Sequence, residues 1–239
     1  MLRIAVALLC LGFSFLLRAA GPEVEIRRIS SVDTYGTSFL VKSPAGIQVV
    51  MDPYLVIEGL KADVITVTHT HADHMDAFFQ EDMLALGVPL FVNTKMNWKK
   101  GDVSVFSVPA MHNPVPVTPD RPTNTIFVVE VAGLRIVHFG DLGQSEFTPE
   151  QLAELGRIDV AFMQFDNSFS DLKASEGRAF RLMDRIVPRL IIPTHAGGDS
   201  WPKLREAYGV PLAAGEVLRV AADKLPEKTR VVELAHPKE

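Results

Sequence analysis

The densest chemistry in the chain lies in "HTHADH", which sets His69, His71, Asp73 and His74 within six positions. In extended chain, residues two apart project to the same side, so His69 and His71 share a face. Asp73 and His74 follow where the apolar run "DVITVT" has to turn into the next element. Imidazole and carboxylate are the donors a zinc-type cation takes where no thiolate is present. Four such groups are costly to bury unless something cationic neutralises them. The cluster therefore reads as a metal site rather than a solvated turn.

Three further donors fit the same reading. His112 closes "VPAMH", Asp141 closes "LRIVHFGD" and His195 closes "LIIPTH". Each lies just past a mostly apolar, strand-like run, as the first cluster does. Five of the seven histidines fall at these positions, so the strand ends can deliver one donor set to a single rim. Ligand sites in α/β folds favour such rims.

The elements that must position these residues are legible from pattern. "VEIRRIS" alternates weakly as a strand, and "TSFLVKSPAGIQVVMDP" reads as two strands about a Ser-Pro-Ala-Gly turn. "DVITVT" is a β-branched strand of a covered sheet. "MDAFFQEDMLALG" reads as a helix ended by Gly87. Strands are expected at "PLFVN", "VSVFSV", "TIFVVEV", "LRIVHFG", "IDVAFMQF", "RLIIPTH", "VLRV" and "RVVEL". "TPEQLAEL" carries a capping box, Thr148 with Gln151, and Pro149 at the first helical position. "SEGRAFRLMDRIV" and "WPKLREAYG" complete the helices. Buried strands with helices outside them imply a layered α/β protein.

The motif H-x-H-x-D-H, followed by His112, Asp141 in "FGD" and His195 in "PTH", resembles the metallo-β-lactamase superfamily over residues 21–239. The resemblance implies a four-layer αβ/βα sandwich with two divalent metal ions in a shallow cleft. His69, His71 and His112 would hold the first ion and Asp73, His74 and His195 the second, with Asp141 and a hydroxide between them. Asp73 is the candidate catalytic residue, accepting a hydrogen bond from that hydroxide; protonation of the leaving group falls to it or to a metal-bound water. The implied function is binuclear metal-dependent hydrolysis of an ester, lactone or phosphodiester of a small molecule. Zinc suits the histidine-rich set, and Mn2+ and Fe2+ use similar ligands. Two other classes remain open: a non-catalytic metal-binding or sensing protein on the same fold, and a mono-iron redox relative.

Within the superfamily, Asp141 separates the chain from antibiotic-hydrolysing members, which usually lack a bridging aspartate. His71 stands where flavin-linked diiron members carry Glu. The short interval from His74 to His112, "HFGD" and "IIPTH" resemble the lactonase-like branch. Leu142 departs from it, standing where many relatives place Ser or Thr.

Composition sets limits around this reading. The formal charge of −5 gives no basic surface for nucleic acid. Residues 1–20 have a basic start at Arg3, then an uncharged and mostly apolar run over residues 4–17. That reads as a signal peptide of an exported protein, or as an N-terminal anchor if retained. Cys10 is the only cysteine, so loss of the leader leaves no thiolate for catalysis or metal binding.

Several residues carry weaker claims. His138 reads as a partner of a ligand or as an interior strand histidine. Asn113, Asp166 and Asn167 stand where loops could reach substrate, although turn formation explains them equally. Asp52 could support a ligand histidine, but "DPY" reads first as a turn with Tyr54. His236 reads as a bystander in the polar tail. Phe78, Phe79 and Met83 are expected in the core. The sequence does not fix the oligomeric state.

Overall fold

The computed structural model describes residues 21–30 and 35–237; the signal or anchor segment, residues 1–20, lies outside them. In chain order the strands are β1 (Val24–Arg28), β2 (Phe39–Lys42), β3 (Gln48–Met51), β4 (Val64–Val67), β5 (Leu90–Val92), β6 (Asn97–Lys100), β7 (Val103–Ala110), β8 (Asn124–Val131), β9 (Leu134–His138), β10 (Val160–Gln164), β11 (Leu190–Thr194), β12 (Leu212–Ala214), β13 (Leu218–Val220) and β14 (Arg230–Leu234). The helices are α1 (Ala77–Ala85), α2 (Pro149–Leu155), α3 (Arg178–Ile186) and α4 (Ser200–Tyr208). One sheet runs β13-β1-β2-β3-β4-β5 and the other β12-β14-β11-β10-β9-β8-β7-β6.

Alternation along the strands builds the layers. In β2, Phe39 and Val41 point into a central apolar cluster and Leu40 points outward. In β3, Val49 and Met51 point inward and Val50 outward. From the other sheet, Val160, Phe162 and Ile192 enter the same central cluster, while Ala161, Met163 and Ile191 face the opposite side. Phe39 and Phe162 meet across the sandwich with ring centroids 4.1 Å apart. Burying each such ring contributes about 1.5–3 kcal/mol. The two outer faces are covered by helices: α1 brings Phe79 and Met83 onto the first sheet. Leu155 of α2, Leu182 of α3 and Leu204 of α4 cover the second. Three apolar clusters thus separate four layers, α, β, β and α.

The capping box of α2 forms as expected, with Thr148 Oγ1 accepting from Gln151 N and Gln151 Oε1 accepting from Thr148 N. Phe78, expected in the core, is 83% exposed. α1 presents one face to its sheet, and Phe79 and Met83 occupy that face. Strands β6 and β12 were not expected. Both sit at sheet edges, one polar and the other three residues long, so neither shows the apolar alternation of a covered strand.

The topology brings the donor-bearing strand ends together. β3 pairs with β4 in parallel, and β9, β10 and β11 run parallel. β7 and β9 are both antiparallel to β8, hence parallel to each other. The C-terminal ends of β7, β9, β10 and β11 therefore share one edge of their sheet.

Candidate metal centre

Seven donors converge at that edge. His69, His71, His112 and Asp141 form one group that could hold a metal ion, and Asp73, His74 and His195 form a second. Asp141 stands between them. Its Oδ2 is 3.4 Å from His112 Nε2 and 3.6 Å from His69 Nε2. Its Oδ1 is 3.3 Å from His74 Nε2 and 3.1 Å from His195 Nε2. Asp73 Oδ2 lies 3.7 Å from His195 Nε2 and 3.9 Å from His74 Nε2. His71 Nδ1 is 3.1 Å from His69 Nε2.

These separations fit a cation. Nitrogen donors about 2.1 Å from a tetrahedral ion lie about 3.4 Å from one another. His74 Nε2, His195 Nε2 and Asp141 Oδ1 are buried with no hydrogen-bond partner. The nitrogens stand close to the carboxylate but are misaligned for hydrogen bonds to it. Orphaned buried donors of this kind are expensive, and a shared positive ion resolves the expense.

A second ring of residues orients the donors. Asp52, predicted first as a turn residue, is fully buried behind the cluster. Its carboxylate accepts from Thr68 N and Thr68 Oγ1, each at 2.7 Å, and meets His74 Nδ1 at 2.7 Å. Thr68 spends its one hydroxyl proton on Asp52, so at the 3.0 Å contact with His69 Nδ1 the imidazole must donate. Nε2 of His69 is thereby left with its lone pair towards the site. The same logic turns His74 Nε2 inward. The backbone at Asp52 holds φ 46° and at His195 φ 41°. Non-glycine residues rarely adopt this region, and here it marks the end of β3, which delivers the supporting Asp52, and the end of β11, which delivers the donor His195.

Asn167 is buried. Its Nδ2 donates to Asp141 Oδ2 at 2.6 Å and to Gln164 Oε1 at 2.9 Å. Asn124 Oδ1 accepts from Asp141 N at 3.2 Å. Ser170 Oγ lies 3.4 Å from His112 Nε2. Gly143 passes so close that a Cβ there would stand 2.0 Å from the His112 carbonyl oxygen. Gly140, with φ +54°, has no room for a Cβ beside Thr68 and Asn124.

Burial sets the electrostatics. It pushes the His69 pKa down to about 3, with the His74 charge adding to the effect. Burial also opposes charge on His74, but the Asp52 and Asp141 carboxylates outweigh it and hold its pKa well above the ordinary value. Burial favours a neutral Asp141, yet the surrounding histidines keep its pKa well below the usual carboxylate range.

His138 is buried beside the paired rings of Phe39 and Phe162, edge-on to both, with Nδ1 3.4 Å from Asp52 Oδ2. It meets the residue that supports His74 and belongs to neither donor group. Asn113 Nδ2 donates to the Phe169 carbonyl. Tyr54 and Asp166 line the cleft above the donors. His236 contacts Arg28, away from the donor set. Leu142 is fully buried in the apolar cluster beneath the outer helices, so its departure from Ser or Thr falls on the core side. Asn124, Gln164 and Thr68 were not singled out from sequence: inside apolar strands they carry no spacing signal of their own.

Residues 32–195 match the family described as a beta-lactamase superfamily domain. A protein of Thermococcus onnurineus named UPF0173 metal-dependent hydrolase is 25% identical over 184 residues, covering 66% of this chain and 80% of its own. One of the same name from a Polaromonas species is 27% identical over 210 residues, covering 68% and 75%. A metallo-β-lactamase superfamily structure from Thermotoga maritima superposes with a TM-score of 0.62 at 21% identity, covering 87% of this chain and 97% of its own. The Bacillus subtilis metallo-β-lactamase fold protein YhfI gives 0.59 at 11% identity, covering 90% and 98%. The chain belongs to the metallo-β-lactamase superfamily.

Proposed function

We propose that the protein is a metal-dependent hydrolase that holds two divalent ions, zinc by donor chemistry, and cleaves an ester, lactone or phosphodiester of a small molecule. One observation carries the reading: two donor groups share Asp141, whose two oxygens face one group each. Relatives named metal-dependent hydrolases support the class.

Two ions held so would lower the pKa of a water between them towards about 7 and polarise the group under attack. The chain's own residues do the rest. His69, His71 and His112 would hold one ion, and Asp73, His74 and His195 the other. Asp52 and Thr68 fix the histidine orientations, and Asn167 holds the Asp141 carboxylate. Asp73, partly exposed on the cleft wall, can accept a proton or a hydrogen bond at the attacked face.

The leader-like residues 1–20 support export, with a retained leader serving as a membrane anchor, and the acidic composition supports a small-molecule rather than a nucleic-acid substrate. The test is turnover of chromogenic esters, lactones and phosphodiesters by metal-loaded and chelated protein. Activity that vanishes on chelation, returns with metal and is lost in Asp141→Ala and His71→Ala is the expected result. Two bound ions with no turnover across the panel would shift the reading to a sensing role.

A further inference from the structure

The cleft above the donors encloses about 650 Å³. Apart from histidines, its charged lining side chains are the carboxylates Asp73, Asp141 and Asp166. Neither Lys nor Arg lines it among the described residues, and residues 31–34, next to Tyr35, contain neither. Asp73 and Asp141 belong to the donor groups. Asp166 does not: its backbone N–H donates to the His195 carbonyl at 2.8 Å, and the residue, partly exposed, lines the cleft beside the donors.

A phosphodiester carries a full negative charge on its non-bridging oxygens. Sites built for such anions add Arg, Lys or clustered N–H donors around them. Here the residue added beyond the donor set has the wrong sign for that task.

The other walls are aromatic. Phe169 is 78% exposed beside the site, its ring 6.4 Å from that of His71. Tyr35 lines the same cleft with its ring 5.1 Å from that of His195. A large apolar ring left open at a cleft mouth marks a surface that gains from being covered. The loop that exposes Phe169 is held in place, because Asn167 two residues earlier binds Asp141 and Ser170 contacts His112.

Resting on the hydrolase reading above, we propose that the substrate is an uncharged ester or lactone with an apolar flank seated on Phe169 and Tyr35, and that Asp166 selects against phosphodiesters. In that reaction the oxygen of water bonds to the acyl carbon and the acyl–oxygen bond breaks. The acid keeps the oxygen from water, and the departing oxygen takes a proton.

The experiment has two arms. In the first, kcat/KM of the metal-loaded protein is compared for an aryl ester and an aryl phosphodiester. The ester is preferred, Asp166→Lys shifts the ratio at least tenfold towards the phosphodiester, and Phe169→Ala raises KM for the ester. Preference for the phosphodiester with metal-dependent turnover overturns this inference and leaves the hydrolase reading standing. In the second arm, saturation-transfer NMR on metal-stripped protein compares an aryl ketone with an aryl phosphonate of the same shape. The ketone is saturated and loses its signal in Phe169→Ala, while the phosphonate gains one in Asp166→Lys. Equal signals from both, or a signal from neither, overturns the inference even if no turnover is found.

Discussion

The carboxylate of Asp52 meets Nδ1 of His74 at 2.7 Å, on the side of the ring away from the donor cluster. Through Thr68 the same carboxylate reaches His69, so one buried acid sets the tautomers of a histidine in each donor group. Asp52→Asn should weaken metal binding about 10–100-fold, the usual effect of removing such a support. Chelator competition measures it. Asp52→Ala should also lower the melting temperature, since Thr68 N is left buried and unpaired at a cost of about 1–3 kcal/mol. Unchanged affinity in both variants would remove Asp52 from the positioning role.

His74 makes metal uptake pH-dependent. In the metal-free protein its pKa is held above the ordinary value, burial being outweighed by Asp52 and Asp141. The ring therefore keeps its proton to higher pH than a free imidazole, and a cation at Nε2 must compete with that proton. Affinity should rise with pH until His74 loses its proton unaided. Calorimetric titration in buffers of different ionisation enthalpy should show net proton release. For stability the sign reverses: the raised pKa stabilises the metal-free fold below the unfolded-state value, and this is lost as pH climbs through the folded value. Proton uptake on loading would contradict the assignment.

Asn167 can be tested by sign. Asn167→Asp replaces a donor 2.6 Å from Asp141 with a second carboxylate. Metal-free protein should be destabilised and loading should restore most of the loss, because added cations offset the repulsion. Asn167→Ala should show the smaller deficit. Equal melting curves for both variants with and without metal would argue that the loop does not control Asp141.

Gly143→Ala should damage the site from outside it. The new Cβ would fall on the His112 carbonyl, so His112 or the Ser170 loop must move. Loss of more than tenfold in metal affinity is expected, with a lowered melting temperature. Gly215→Ala, which has open space at its Cβ, serves as the control and should be close to neutral. Comparable effects of the two would mean that crowding at His112 is harmless.

Metal removal should loosen the sandwich itself. His69, His71, Asp73 and His74 follow a strand of one sheet, whereas His112, Asp141 and His195 follow strands of the other. Ions bound between them would join the two sheets. Free metal at 100 times its Kd should add about 2.7 kcal/mol per site to stability. Thermal melts with and without chelator give the value, and identical curves would mean that these donors hold no tightly bound ion.

How much of this was legible in the sequence follows from what makes a signal. The donors were readable because imidazoles and carboxylates recur just past apolar, strand-like runs, four of them within six positions. Layering was readable from apolar strands such as "DVITVT" and "IDVAFMQF" set among helix patterns, whereas the split of Phe39 and Val41 from Leu40 shows only in the structure, since all three are apolar. Asp52 was obscured because "DPY" has turn chemistry, which the chain also uses there. Asn124 reaches Asp141 from a neighbouring strand and Gln164 acts only through Asn167, so neither stands at a spacing that points to a donor. Phe78 was misjudged because adjacent phenylalanines on a helix cannot both face the sheet.

The parallel strand ends gather every donor at one edge, and the opposite edge follows from the same topology. There the turns joining β2 to β3 and β6 to β7 meet, with Ser43 Oγ donating to Asp102 at 2.7 Å, and the β8–β9 turn at Ala132 and Gly133 lies at the same end. These turns connect strands without touching the reactive rim. They form a permissive end, where an affinity tag, a fluorophore or an inserted segment can be attached with the chemistry left a full strand length away.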